Sequence, residues 1–444
     1  MTATSTTATL TPHLRLRGVV LFGLAYMAPL IVLGTYGIVA DTTSGTVPTA
    51  YLLATVAMLF TAASYGRMAS VYPVAGSAYT YVRKSIDSRV GFLVGWAVLL
   101  DYFFLPMVIW LIGAAYMSAE FPAVPSWVWV LGFIVVTTAL NVLGIRVAVT
   151  ANFLLMVFQL LVIVFFVILS LRQVGAGGHS LFSAVPFYHS GSSFSGISAG
   201  AALAAYAFLG FDAVTTLTEE TFEPRKTIPR AILLTALLGG VLFVVLSYAT
   251  QLVHPGSTFH DTSSAAFEIA TDIGGNVFAA VFLAGLMVAQ FASGIAAQAG
   301  ASRLMFAMGR DGVLPKRFFA YLQPKFETPV FGIVLIGLVG LGALALDVTT
   351  STSFINFGAF TAFTFVNISV IALWLRQQGS AQRGSVVRNL VFPVIGAAVD
   401  IWLLVHLDGI AVTLGLIWLA LGVCYLAYLT RGFRRPPPEV TFEE

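Results

Sequence analysis

Two carboxyl groups fall inside long apolar stretches, Asp101 in LLDYFFLP and Asp212 in YAFLGFDAVTTLTEE. An ionisable residue at membrane depth costs about 2.5–3.5 kcal/mol on insertion scales, so it points first to function. Such a carboxylate can bind an ammonium group or carry a proton. The structural alternatives are a helix packed tightly through Gly210 with Asp212 bonded to a neighbour, and, for Asp101, a helix–helix hydrogen bond worth about 0.6 kcal/mol. Around Asp212 the chain is irregular. Gly210 supplies backbone freedom two residues earlier, a run of threonines follows, and Tyr206 and Phe208 flank the glycine. An aromatic ring there stacks on a cation or simply packs. This pattern predicts a discontinuous helix whose freed backbone groups and one carboxylate line a polar cavity. Ser293 and Gln298 are further polar residues that line such a site or a cation position, or else pack helices. Asp400 reads as structural or interfacial. Glu219 and Glu220, near Arg225 and Lys226, read as ion pairs at a gate.

A second irregular stretch is LAYMAPLIVLGTYGIVA, with Ala28-Pro29, Gly34-Thr35 and Gly37 in mid-span. Pro29 removes a donor and clashes with the preceding turn. Interrupted segments at matching positions of two halves point to a transporter site built on inverted repeats. Segment 1 opens one five-helix unit and segment 6 opens the next, with two further helices appended.

These elements need a membrane. Of 444 residues, 58% are hydrophobic and 9% charged, against roughly 25% charged in a soluble domain. Twelve spans are expected, near 17–40, 49–70, 90–118, 126–144, 149–171, 195–220, 230–252, 274–302, 329–347, 351–375, 389–406 and 409–430. The organisation is a tail at 1–16, a ten-helix core at 17–375, helices 11 and 12 at 376–430 and a solvated tail at 431–444. With this count 21 of the 22 Lys and Arg fall on one side, Arg172 being the exception. Both termini are therefore expected in the cytoplasm. No cleavable signal peptide is evident. Cys424 is the single cysteine, so no intrachain disulfide forms. The outer loops hold His254 and His260, a spacing that suits a solvated loop better than a metal site. No cofactor, metal or nucleic-acid partner is implied.

Four stretches together carry a resemblance: Tyr72–Ile86 with Gly91–Tyr102, Gly210–Ile232, Ala301–Phe318 and Ile355–Val370. They resemble the amino acid–polyamine–organocation superfamily of permeases, over 13–436, and within it the bacterial putrescine importers. The resemblance implies an all-α membrane protein with the leucine-transporter-type fold, a 5+5 inverted repeat and two extra helices. It also implies secondary transport by alternating access, with broken helices 1 and 6 cradling an amino acid or one end of a diamine. On this basis the substrate site falls on Ala28, Pro29, Gly34, Thr35, Gly37, Asp101, Tyr206, Phe208, Gly210 and Asp212. Asp101, Asp212, Gln159 and Ser293 are the coupling candidates. Gln159 stands where some proton-coupled relatives have lysine. The chain departs from the importers at Leu33-Gly34-Thr35, where they carry an acidic residue, and at Ala28, where they carry glutamine. That departure favours an amino acid, while the whole-chain likeness favours putrescine.

The expected activity is proton-driven uptake of a small amine, with exchange as the alternative. A membrane enzyme is disfavoured because no nucleophile elbow, metal cluster or paired-carboxylate motif occurs in the loops. A channel is disfavoured because no filter repeat is present. The oligomeric state is not encoded in any feature of the sequence.

Overall fold

In lipid, an apolar segment must satisfy its own backbone, and a helix does so without a partner. The computed structural model describes residues 14–73, 77–144, 149–218, 220–310, 312–377 and 384–437. Apart from one isolated bridge between Leu14 and Thr221, the regular elements among them are helical. Ten are long and apolar enough to cross a membrane, and Ser126–Val142 and Val330–Leu344 are shorter apolar helices where spans 4 and 9 were expected.

The first segment is divided into α1 (Leu16–Tyr26), α2 (Ile31–Gly34) and α3 (Tyr36–Thr43). Then come α4 (Val47–Val71), α5 (Ser77–Ser85), α6 (Ser88–Glu120), α7 (Ser126–Val142) and α8 (Val149–Ala176). The sixth segment starts as α9 (Phe194–Ala204) and continues as two 3-10 turns, Ala205–Phe208 and Ala213–Leu217. It is followed by α10 (Pro224–Val253), α11 (Ala265–Arg310), α12 (Lys316–Phe319), α13 (Val330–Val339) and α14 (Val348–Arg376). Last are α15 (Phe392–Leu404) and α16 (Gly409–Leu429).

Local signals set several starts. Asp87, Ser193, Asp347 and Asp408 each accept a backbone N–H two or three residues on, capping α6, α9, α14 and α16. Two expected loops contain helix: α5 lies between spans 2 and 3, and α11 begins at Ala265, bending at Gly275 with φ of 65°. His254 stacks on Phe259 at 4.6 Å, and its Nε2 lies 3.1 Å from the Thr258 carbonyl. Lys226 pairs with Glu223 at 3.2 Å. Glu219 and the end of the C-terminal tail lie outside the described residues.

The core runs through the whole bundle. α4 lies along α10, and α6 lies along both α11 and α14. Close approach of α4 and α10 needs Gly240, where a Cβ would collide with Thr55. The appended helices are tied in by side chains. Trp96 of α6 and Trp418 of α16 each donate an indole N–H to the other's carbonyl, at 2.9 and 2.8 Å, with their rings stacked at 4.9 Å. Asp400 of α15, fully buried, accepts from Thr61 of α4 at 2.9 Å and from Asn367 of α14 at 3.0 Å.

Candidate functional site

Both irregular segments lose their helix. In segment 1 the break lies between Tyr26 and Ile31, where Ala28 adopts φ of 45°. Proline disfavours the right-handed helical region for the residue before it, so Pro29 accounts for Ala28 leaving the helix. In segment 6 the winding tightens from α to 3-10 at Ala205, and Gly210 takes φ of 100°. The two breaks meet: a Cβ on Gly210 would run into the ring of Tyr26.

A cavity of about 180 Å³ opens beside this meeting point. Tyr26, Met27 and Ala28 of segment 1 line it, with Tyr206 and Leu209 of segment 6. Leu105 and Ile109 come from α6, Gln159 from α8, and Gln290 and Ser293 from α11. Gln290 is fixed by donating to the Ile109 carbonyl at 3.1 Å. Next to the cavity is a carboxylate cluster. Asp101 and Asp212 are close enough to feel each other's charge, and Tyr26 is within electrostatic reach of both. Tyr206 is within electrostatic reach of Asp101, Tyr81 of Asp212, and Tyr102 of both acids. The Oδ1 of Asp101 is buried and has no hydrogen-bond partner among the described residues. Phe211, beside Asp212, is clasped by Tyr65 and Phe363, at 5.6 and 5.4 Å between ring centroids.

The two ends of segment 1 differ. Every residue from Met27 to Ala40 is buried except half-buried Ala28. Tyr36 donates to Gln251 Oε1 at 2.8 Å, and Tyr116 donates to the Leu33 carbonyl at 2.6 Å. By contrast, Phe22 and Tyr26 of α1 are 37% and 44% exposed and line the cavity. The cavity is thus lined by the α1 end of segment 1 and by no residue of α3.

The expected site residues separate into three groups. Ala28, Tyr206, Gln159 and Ser293 line the cavity. Asp101 and Asp212 form the adjoining cluster, with Gly210 permitting the bend and Pro29 setting the first break. Gly34, Thr35, Gly37 and Phe208 serve packing. A Cβ on Gly37 would collide with the Thr262 carbonyl, and one on Gly34 would press on Ile31 at 3.2 Å. Thr35 donates to the Ile31 carbonyl at 3.2 Å, and Phe208 meets Phe243 edge-on at 5.0 Å. Gln298 bonds Asn141, Thr138 and the Ile333 carbonyl, all in the protein interior. Sequence reasoning missed Tyr26, Tyr81, Tyr102 and Gln290. Their only signal was a polar tip on an otherwise apolar helix, which many packing residues share.

A bundle of membrane-length apolar helices, two of them broken and meeting at a largely apolar cavity with a few polar side chains and two acids nearby, has the character of a permease. The amino acid permease family model matches residues 18–421, and the chain belongs to that family. The low-affinity putrescine importer PlaP of Escherichia coli K12 is 42% identical over 95% of this chain and 94% of its own. The branched-chain amino acid permease BcaP of Bacillus subtilis is 26% identical, over 85% and 84% respectively. Human cationic amino acid transporter 4 is 29% identical over 72% of this chain and 53% of its own. The protein is thus a multi-pass secondary transporter of amino acids or polyamines rather than an enzyme.

Proposed function

We propose that the protein imports a short diamine, driven by protons, through a site shared by the Asp101–Asp212 cluster and the adjoining cavity. The observation that carries this reading is the pairing of two acids near a first break where the four amides of Ile31–Gly34 are already engaged. The amides of Ile31, Val32, Leu33 and Gly34 bond the carbonyls of Ala28, Pro29 and Leu30, at 2.9 to 3.4 Å. An amino acid needs such amides for its own carboxylate, and that carboxylate would also face two like charges. A dication has neither difficulty, because an ammonium entering a low dielectric needs an anionic partner. The importer relative at 42% identity supports the same choice, despite the departure at Gly34.

The proposed frame is twelve spans in the leucine-transporter-type 5+5 arrangement, with the core at 17–375 and helices 11 and 12 at 376–430. Pairing of α4 with α10 and α6 with α11 supports it, since these are the second and third members of each five-helix unit. At 17 residues, α7 reaches about 25 Å, near the thickness of the hydrocarbon core. Both terminal tails, 1–16 and 431–444, are placed in the cytoplasm.

Uptake into proteoliposomes with an inward proton gradient tests the function. Labelled putrescine should accumulate saturably, compete with other short diamines and stop when the gradient is collapsed. Competition by leucine with no effect of diamines would favour an amino acid substrate, and conductance without saturation would sink the transport mechanism. Orientation is tested in a Cys424→Ala background. Thr258→Cys should react with an impermeant thiol reagent added to intact cells, and Ser385→Cys should not. Thr46, an obvious outer-loop position by sequence, is fully buried and cannot report.

A further inference from the structure

We infer that Asn356 is a positioning residue that holds segment 6 in its switched winding and thereby presents Tyr206 to the cavity. The inference rests on the transport reading of the same site. Where α9 ends, the cap amides bond the carbonyls of Ala201 and Leu203, so the Ala202 carbonyl is passed over. That orphan is the cost of going from α to 3-10 geometry, in which each amide reaches back three residues instead of four. A carbonyl left unpaired in a buried helix is strongly disfavoured. Asn356 of α14, 1% exposed, donates its Nδ2 to this carbonyl at 2.8 Å. It also lies 3.5 Å from the Leu203 carbonyl.

The amide is held rigidly where it is needed. On the same stretch of α14, Phe354 meets Phe104 edge-on at 4.8 Å. Gly358 lies so close to the Ala97 carbonyl that a Cβ there would collide with it. This part of α14 is therefore wedged between segment 6 and the part of α6 that carries Asp101. Tighter winding turns successive side chains by about 120° rather than about 100°. The first residues after the switch are Ala205 and Tyr206, and Tyr206 lines the cavity within electrostatic reach of Asp101. Without the Asn356 amide, continued α-winding is the way to satisfy the Ala202 carbonyl, and it would rotate Tyr206 away.

The first test is independent of transport. Cysteine is placed at Tyr206 in a Cys424→Ala background, and its reaction rate with a small methanethiosulfonate is measured with and without Asn356→Leu. The rate should fall about tenfold, the scale set by one buried unsatisfied group. An unchanged rate would overturn the inference. The second test measures uptake kinetics. Asn356→Leu should raise KM for the diamine about tenfold with Vmax within about twofold, and add little in a Tyr206→Ala background. A full penalty in that background would show that Asn356 does not act through Tyr206. Should the leucine variant fail to fold, Asn356→Ser and Asn356→Ala form a matched pair, of which only serine keeps a donor. Serine should then react and transport closer to the parent than alanine, and equal behaviour would overturn the inference. Loss of folding in all three would assign Asn356 to the core and overturn it as well. A parent protein that takes up no amine would sink the transport reading, while the thiol rates would still decide the role of Asn356.

Discussion

Two regions of this membrane protein bury a carboxyl group, and they treat it differently. Asp400 of α15 is fully buried, with neutral donors from Thr61 and Asn367 on Oδ2 and no hydrogen-bond partner on Oδ1 among the described residues. Those donors come from α4 and α14, so the carboxyl ties three helices together. Asp101 of α6 also has a buried, unpartnered Oδ1, but it lies within electrostatic reach of a second acid, Asp212, and of several tyrosines. The first arrangement is a polar contact between helices made through Oδ2 alone, with no second acid beside it among the described residues. The second leaves an acceptor open next to like charge, which makes sense where a cation or proton comes and goes. The same residue type is thus a brace in one place and a working group in the other. What decides is the donors that neighbouring helices supply.

Substitutions that keep shape and remove charge separate the two roles. Asp212→Asn should have the largest effect, abolishing diamine uptake in proteoliposomes while the protein elutes and melts as the parent does. Normal uptake would make the core acids structural and collapse the comparison. Asp101→Asn should come next, with uptake reduced at least about tenfold. Its remaining rate should vary much less with external pH than that of the parent. A parallel, merely lowered pH profile would mean that Asp101 binds substrate without carrying the proton.

Smaller effects are expected at the brace. Asp400→Asn keeps an acceptor for Thr61 and Asn367, so uptake should stay within about twofold of the parent. Asp400→Leu removes two interhelical bonds and should destabilise the fold by about 1–2 kcal/mol, read as a lower midpoint in thermal unfolding, with KM unchanged. A change in KM or in the pH profile with Asp400→Asn would place a second working carboxyl outside the core.

Much of this arrangement was legible in the sequence. Hydropathy located the ten long apolar helices and the two shorter ones, because a membrane tolerates few other solutions for a run of apolar residues. Pro29 and Gly210 marked the breaks, since one lacks a donor and the other tolerates positive φ. The exact place of the first break was less legible. Gly34 and Gly37 look like the weak points of segment 1, yet both are used for close packing, and Ala28 takes the left-handed conformation instead. A glycine reads the same in sequence whether it frees the backbone or lets another helix approach.

By itself the sequence determined that this chain is a helical membrane protein, that the first and sixth segments are interrupted, and that Asp101 and Asp212 fall inside long apolar stretches. These follow from local properties: side-chain hydrophobicity, the φ preferences of single residues and the spacing of charges along the chain. Only the tertiary structure decided that the two acids come within electrostatic reach of each other, that Tyr26, Tyr81 and Tyr102 come within reach of one or both, and that Asn356 caps the Ala202 carbonyl. It also separated Asp400, held by two neutral donors on Oδ2, from Asp101, which has a second acid within electrostatic reach. Each of these depends on which faces of distant helices meet, and that is set by the packing of the whole bundle rather than by any stretch of the chain.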